Sequence, residues 1–178
     1  MNPWIHTAVA GLACLGSVTL ASAAHAEVEV IFREGAPKDM FSIRNTGGCE
    51  LGRMELTIDL ADAAGGLIFD TTGQGAGVQV YQPLEIASGG GRIAAISEVT
   101  DGDQKLSLTI TSLAPQEALA LTADLDDTLV DSPLGQIVVV GAEIEGATVK
   151  LDTGVASPIT SRFEADSVAT IPISSCLS

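Results

Sequence analysis

The chain has 178 residues and a formal net charge of −15, from eight basic and 23 acidic side chains. This length is enough for one domain with a substantial hydrophobic core. The charge excludes nucleic acid as a natural partner, because two polyanions repel each other. It argues against binding to anionic membrane surfaces for the same reason.

The N-terminal segment, residues 1–26, has the layout of a secretory signal peptide. An apolar and small-residue run ends at the small-x-small triplet Ala24-His25-Ala26, which is typical of a cleavage site. A membrane anchor is disfavoured because the run is near the lower length limit for a span and is rich in Ala, Gly and Ser. A lipid-modified Cys14 is disfavoured because Gly11 stands where a bulky aliphatic residue is usual. We therefore expect an exported protein, periplasmic or extracellular, whose mature chain starts at Glu27 and has no membrane span.

The mature chain shows the period-two alternation of apolar and polar residues that is typical of β-strands. Turn-forming residues separate the alternating runs. The pattern predicts an all-β fold, a single antiparallel β-sandwich or jelly roll of about ten strands over residues 27–178. The predicted strands are Glu27–Glu34, Met40–Asn45, Glu50–Leu60, Leu67–Asp70, Val78–Ala87, Arg92–Val99, Lys105–Leu113, Ala118–Asp127, Gly135–Leu151 (two strands, broken near Gly146) and Ile159–Ile173 (two strands).

Two cysteines remain after the signal peptide is removed, because Cys14 leaves with it. An even pair in an oxidising compartment predicts a Cys49–Cys176 disulfide. Closing so long a loop would stabilise the fold by about 4–5 kcal/mol at best. The alternative is a pair of buried free thiols.

The residues that are missing restrict the chemistry. Both histidines, His6 and His25, lie in the signal peptide, so the mature chain can form neither a Ser-His-Asp nor a Cys-His arrangement. Zinc, copper and non-haem iron lose their usual ligands. The segment Gly73–Gly77 lacks the spacing of a phosphate-binding loop and is interpreted as a hairpin turn. Of the enzyme classes considered, a glycoside hydrolase or lyase that uses two carboxylates remains, and we expect a non-catalytic protein.

Carboxylates are plentiful, and they predict Ca²⁺ as the metal that this chain could hold. One candidate site is the turn Asp101-Gly102-Asp103, where the glycine would allow both carboxylates to face one ion. The other combines two aspartates on one strand face with two at the strand end. Close like charges repel unless a cation neutralises them, although turn formation and protection of a sheet edge are alternative roles. This second set is Asp124, Asp126, Asp127 and Asp131.

Four stretches resemble the bacterial proteins called aggregation factor core protein, after the sponge cell-adhesion factor. Together they cover more than half of the mature chain: Glu34–Leu51, Ile58–Glu85, Asp101–Ile110 and Ala123–Leu151. The resemblance implies a role in adhesion but carries over no catalytic or binding residues. The stretch Leu113–Asp127 also resembles Calx-β modules, whose calcium ligands are acids near strand ends.

Together these features predict an exported, non-catalytic binding or adhesion module that calcium stabilises. Its expected partner is a cell-surface protein or a polysaccharide. A carboxylate-dependent glycoside hydrolase or lyase is one alternative, and a structural component of the periplasm or cell surface is another. The sequence does not define the oligomeric state.

Overall fold

The computed structural model describes residues 26–173 except Gln79 and Pro133, and the predicted signal segment lies almost wholly outside this range. In the described residues the chain forms twelve strands and two short 3-10 helices, Gly90–Arg92 and Gly141–Ile144. The strands are β1 Ala26–Arg33, β2 Asp39–Asn45, β3 Met54–Asp59, β4 Ile68–Phe69, β5 Glu85–Ser88, β6 Ile93–Ile96, β7 Lys105–Ile110, β8 Ala118–Ala123, β9 Leu125–Asp126, β10 Thr148–Asp152, β11 Ile159–Arg162 and β12 Val168–Ile173.

Ten of these strands form two antiparallel sheets that pack face to face. The first sheet has the order β12-β1-β2-β8-β5, and the second has the order β11-β10-β3-β7-β6. The strands β4 and β9 pair with each other in a small third sheet. This architecture confirms the predicted antiparallel β-sandwich. No helix within the described ranges is long and apolar enough to cross a membrane.

The alternation that predicted the strands also builds the core. In β7 the side chains of Leu106, Leu108 and Ile110 are fully buried while the residues between them face outwards. The same pattern recurs in most long strands, so each sheet turns one apolar face towards the other. Burial of one such aliphatic side chain contributes about 1.5–3 kcal/mol to folding.

Three predicted strands are wrong in part. The strand predicted over Ala118–Asp127 is divided between β8 and β9, which belong to different sheets. The strand predicted over Val78–Ala87 is regular only at β5, because the backbone before it donates hydrogen bonds elsewhere: the Val78 N–H to the Asp126 carboxylate and the Gln82 N–H to the Asp70 carbonyl. The first of the two strands predicted within Gly135–Leu151 does not form, and that segment contains the second 3-10 helix instead. There the Val140 N–H donates to the Glu143 carboxylate at 2.7 Å, and the Glu143 N–H donates to the Val140 carbonyl at 2.8 Å. These local bonds compete with strand pairing.

The predicted disulfide joins Cys49, which is half-buried against the core, to Cys176, which lies outside the described residues. The register pairs Ile173 with Ala26 and Asn45 with Val28. The ends of β12 and β2 therefore lie at the same end of the first sheet, where β1 begins. This arrangement is compatible with the predicted bond, which stays a prediction.

We expect Cys176→Ser to lower the free energy of unfolding by about 2–5 kcal/mol. Without the bond the end of the chain is no longer tied to Cys49, and the unfolded chain gains the conformational freedom that the closed loop had removed. Urea unfolding of the mature protein measures the loss, and Ser175→Ala serves as the neighbouring control. Two reactive thiols in the denatured, unreduced protein would contradict the disulfide.

Candidate metal centre

Three aspartates share one face of the small sheet formed by β4 and β9. The antiparallel register pairs Ile68 with Asp126, and the Asp70 N–H donates to the Asp124 carbonyl at 3.0 Å. Opposite residues on antiparallel strands have their side chains on the same face. Asp70, Asp124 and Asp126 therefore lie side by side, and they are only 1 %, 6 % and 2 % exposed.

We call Asp70, Asp124, Asp126 and Asp127 the acidic cluster. Four of its buried carboxylate oxygens accept no hydrogen bond from the described residues. They are both oxygens of Asp70, Oδ1 of Asp126 and Oδ2 of Asp127. The other oxygens have donors: Asp126 Oδ2 accepts from the Val78 N–H at 2.8 Å, and Asp127 Oδ1 accepts from the Leu129 N–H at 3.0 Å. A buried polar atom without a partner is destabilising and calls for an explanation such as an ion or water.

Burial and mutual repulsion raise the pKa values of Asp70, Asp124 and Asp126. Burial, then the charges of Asp126 and Asp101, raises the pKa of Asp70 to about 6. Burial, then the charges of Asp126 and Asp70, raises the pKa of Asp124 to about 7. The pKa of Asp126 is also raised, chiefly by burial. Because folding raises these pKa values, the cluster opposes folding increasingly as the pH rises from about 4 through the folded-state values.

Positive charge does little to offset this repulsion. The Lys38 ammonium lowers the pKa of Asp124, although burial and the neighbouring aspartates outweigh it. The Lys38 Nζ itself lies 2.7 Å from the Glu85 carboxylate. At neutral pH a bound cation would relieve both the repulsion and the missing hydrogen bonds.

The segment Gly73–Gly77 is not the hairpin turn that the sequence predicted, since the strands on either side, β4 and β5, pair with other strands. The segment instead folds onto the acidic cluster, where Gly75 forms a bridge with Asp101. The Asp101 Oδ1 accepts from the Thr71 N–H at 2.8 Å and from the Thr72 N–H at 2.6 Å. Burial alone would raise the pKa of Asp101, but these bonds outweigh it and lower the pKa.

Gly77 carries this loop directly over the free oxygens. A methyl group on Gly77 would lie 2.6 Å from Asp70 Oδ1, and the φ of Gly77, +142°, favours glycine. Gly77 and Val78 line two cavities. One has a volume of about 380 Å³, and its lining includes Asp70, Asp101 and Tyr81. The other has a volume of about 190 Å³, and its lining includes Asp126, Asp127, Thr128 and Gln136.

The structure does not bring all the predicted metal ligands together. Asp124, Asp126 and Asp127 are buried, whereas Asp131 is exposed in the following turn. The Asp103 Oδ2 accepts from the Thr100 N–H at 2.7 Å, so it stabilises its own turn. Asp101 is likewise engaged by the loop, and the metal site predicted at Asp101–Asp103 stays a prediction that no unpartnered oxygen supports.

Two buried aspartates were missed by the sequence analysis. The sequence pattern predicts Asp70 only as the end of a strand, and it assigns no role to Asp39. Asp39 is 4 % exposed, and burial, together with the charge of Asp124, raises its pKa to about 7 although a Gly35 N–H bond lowers it. Both acids end or begin a short apolar run, which is a usable but weak signal. Their proximity to Asp124 depends on strand pairing, which the local pattern does not reveal.

The donor set fits a hard cation. All the groups are oxygen atoms, which Ca²⁺ prefers, and nitrogen and sulfur ligands are missing among them. No three acidic, histidine or cysteine side chains of the described ranges already surround one point as ligands. Binding would therefore require the carboxylates of Asp70, Asp126 and Asp127 to turn towards a common ion. Asp70 lines one of the two cavities at Gly77, and Asp126 and Asp127 line the other.

Comparison with known proteins leaves this site to be interpreted from its own chemistry. No protein-family model matches the chain, and no curated protein matches it in sequence. The resemblance to aggregation factor core proteins therefore stays a prediction based on the stretches given above.

Proposed function

We propose that the protein is an exported, non-catalytic binding or adhesion module in which one Ca²⁺ holds the loops at one end of the sandwich. The ion would be bound by Asp70, Asp126 and Asp127, with Asp124 beside them. The single observation that carries the proposal is the set of four buried carboxylate oxygens without a donor. Such an arrangement is costly in the absence of a cation and favourable in its presence.

Calcium suits this place better than magnesium. Ca²⁺ accepts six to eight oxygen ligands in flexible geometry, so backbone carbonyls and waters can complete a set that begins with three or four carboxylates. Mg²⁺ requires a near-ideal octahedron and gives up its waters reluctantly. The irregular loop at Gly73–Gly77 favours the more tolerant ion.

The adhesion part of the proposal is supported by the composition and the resemblance. The mature chain predicted from Glu27 has no histidine, which removes the commonest catalytic base. Loops positioned by a rigid sheet are the usual place for binding residues. The expected partner is a cell-surface protein or a polysaccharide, recognised by the loops that the ion orders.

We expect saturating calcium to raise the melting temperature of the mature protein by roughly 5–10 °C, because a ligand at 100 times its Kd stabilises by about 2.7 kcal/mol. Differential scanning calorimetry in 0.15 M NaCl, with Mg²⁺ in place of Ca²⁺, separates binding from general screening of the negative charge. Asp152→Asn, outside the cluster, should leave the shift intact. A melting curve that millimolar calcium leaves unmoved would refute the proposal.

A carboxylate-dependent hydrolase or lyase is the second candidate. It is favoured by Asp70, whose raised pKa of about 6 suits a general acid and which lines an open cavity beside Tyr81. A panel of polysaccharides distinguishes the two functions. Turnover that Asp70→Asn abolishes would support the enzyme, and binding without turnover would support the module.

A further inference from the structure

The exposed apolar side chains are concentrated beside the acidic cluster. Among the described residues nine large apolar side chains are exposed, and seven of them belong to two loops, residues 71–82 and 128–138. We call these seven the apolar loop patch: Val80, Tyr81, Leu129, Val130, Leu134, Ile137 and Val138. Val130 is the most exposed of them, at 98 %. A concentration of this kind marks an interaction surface, whereas single exposed apolar residues need no explanation.

Hydrogen bonds to the acids hold both loops in place. The first loop is attached where the Val78 N–H donates to Asp126 Oδ2 at 2.8 Å. The second is attached at both of its ends, since the Leu129 N–H donates to Asp127 Oδ1 and the Asp127 N–H donates to the Gln136 carbonyl, both at 3.0 Å. Residues from both loops line the 190 Å³ cavity. The two loops that carry the patch therefore meet at this cavity, and their hydrogen bonds to Asp126 and Asp127 set their relative position.

The charge around the patch favours a second copy of this chain as its occupant. Residues 71–82 carry no charged side chain, and residues 128–138 carry only Asp131. Two chains of charge −15 repel each other. A contact through these nearly uncharged loops keeps the charged side chains of the two copies apart, and salt screens charges separated by more than about 8 Å. An anionic lipid surface is a poorer fit, since membrane-binding surfaces use Lys and Arg and neither loop has any.

The accessible surface of the patch is close to what a dimer interface needs. At their fractional exposures, the seven residues expose on the order of 700 Å² in total, and a standard interface buries about 800 Å² per partner. A two-fold dimer places the same patch of each copy against the other. Apolar surface meeting apolar surface is self-complementary without any charge pairing.

We propose that the apolar loop patch is the contact surface of a homodimer, and that a cation at Asp70, Asp126 and Asp127 strengthens the dimer by fixing the two loops. This inference rests on the proposed function and identifies the protein partner of that proposal as a second copy of the chain. The cation adds no bridging contact between the copies. It lowers the cost of ordering the loops before they meet.

Sedimentation velocity of the mature protein at about 50 µM tests the inference, in 1 mM CaCl₂ and in EDTA, both with 0.15 M NaCl. We expect a dimer in calcium and a dimer dissociation constant at least 10-fold weaker in EDTA. Val130→Asp and Ile137→Asp should each weaken the dimer by 10-fold or more in calcium. Val155→Asp replaces an apolar residue outside the patch that is 75 % exposed, and it should leave the dimer unchanged.

Calorimetric titration of the same samples with calcium separates this inference from the proposed function. A protein that binds calcium and stays monomeric overturns the dimer alone, whereas the absence of calcium binding refutes the proposed function. Dimerisation that is equal in EDTA overturns the role of the cation. A calcium-loaded monomer that floats with phosphatidylglycerol vesicles overturns the dimer in favour of a lipid surface.

Discussion

The double variant Asp70→Asn/Asp126→Asn is expected to be more stable than the wild type in EDTA and less stable than the wild type in calcium. Without a cation, the wild type keeps two carboxylates in a buried site where three of their four oxygens have no donor. Asparagine removes the charges and supplies N–H donors to its neighbours. We expect a gain of about 1–3 kcal/mol in EDTA, since an unsatisfied buried polar group costs about this much. In calcium the variant should lack the stabilisation that binding gives the wild type, about 2.7 kcal/mol at 100 times the Kd.

Urea unfolding in EDTA and in calcium, at the same ionic strength, measures this reversal in the order of stability of the variant and the wild type. Asp152→Asn is the matched control, because it removes one carboxylate from β10 rather than from the cluster. Its unfolding midpoint should respond to calcium as the wild type's does. If the double variant and the wild type respond equally to calcium, Asp70 and Asp126 are not ligands.

Most of the fold follows from alternation along single strands. The pattern of β7 places Leu106, Leu108 and Ile110 on one face, and any sheet that contains such strands must cover that face. The predicted strands fail where residues with high β-propensity form hydrogen bonds with groups other than a neighbouring strand. Val78 donates to the Asp126 carboxylate instead of a neighbouring strand, and the segment before Ala147 turns at Glu143. Those partners are distant or depend on side-chain geometry, so the local pattern does not reveal them.

The candidate metal site was only half predictable for a related reason. Asp124, Asp126 and Asp127 are close in the chain, and their density of charge indicates an ion without knowledge of the fold. Asp70 joins them only because β4 pairs with β9 in the register that sets Ile68 opposite Asp126. The two strands have two residues each, too few for their sequences to specify a pairing.

Truncation of a core residue far from the acidic cluster should lower the free energy of unfolding without changing the response to calcium. Ile110 is fully buried at the end of β7 and pairs with Met54 of β3 and Ile93 of β6. β7 begins at Lys105, shortly after the loop of Asp101. At about 3.3 Å per residue, Ile110 lies roughly 17 Å further along the sandwich than Lys105. Ile110→Ala removes buried methyl groups and leaves a cavity, and it should cost about 2–5 kcal/mol.

Calcium should raise the free energy of unfolding of Ile110→Ala by the same amount as that of the wild type, within about 0.5 kcal/mol. The reason is that effects at sites this far apart are additive. Ile110→Val, which removes one methylene group, should cost about 0.5–1.5 kcal/mol with the same increment. Urea unfolding of the wild type and of both variants, with and without calcium, gives the six values that the comparison needs. A calcium increment that shrinks in proportion to the lost stability would mean that the ion acts on the whole anionic surface. An unchanged increment, set against its loss in Asp70→Asn/Asp126→Asn, would place the ion at the buried end of the small sheet.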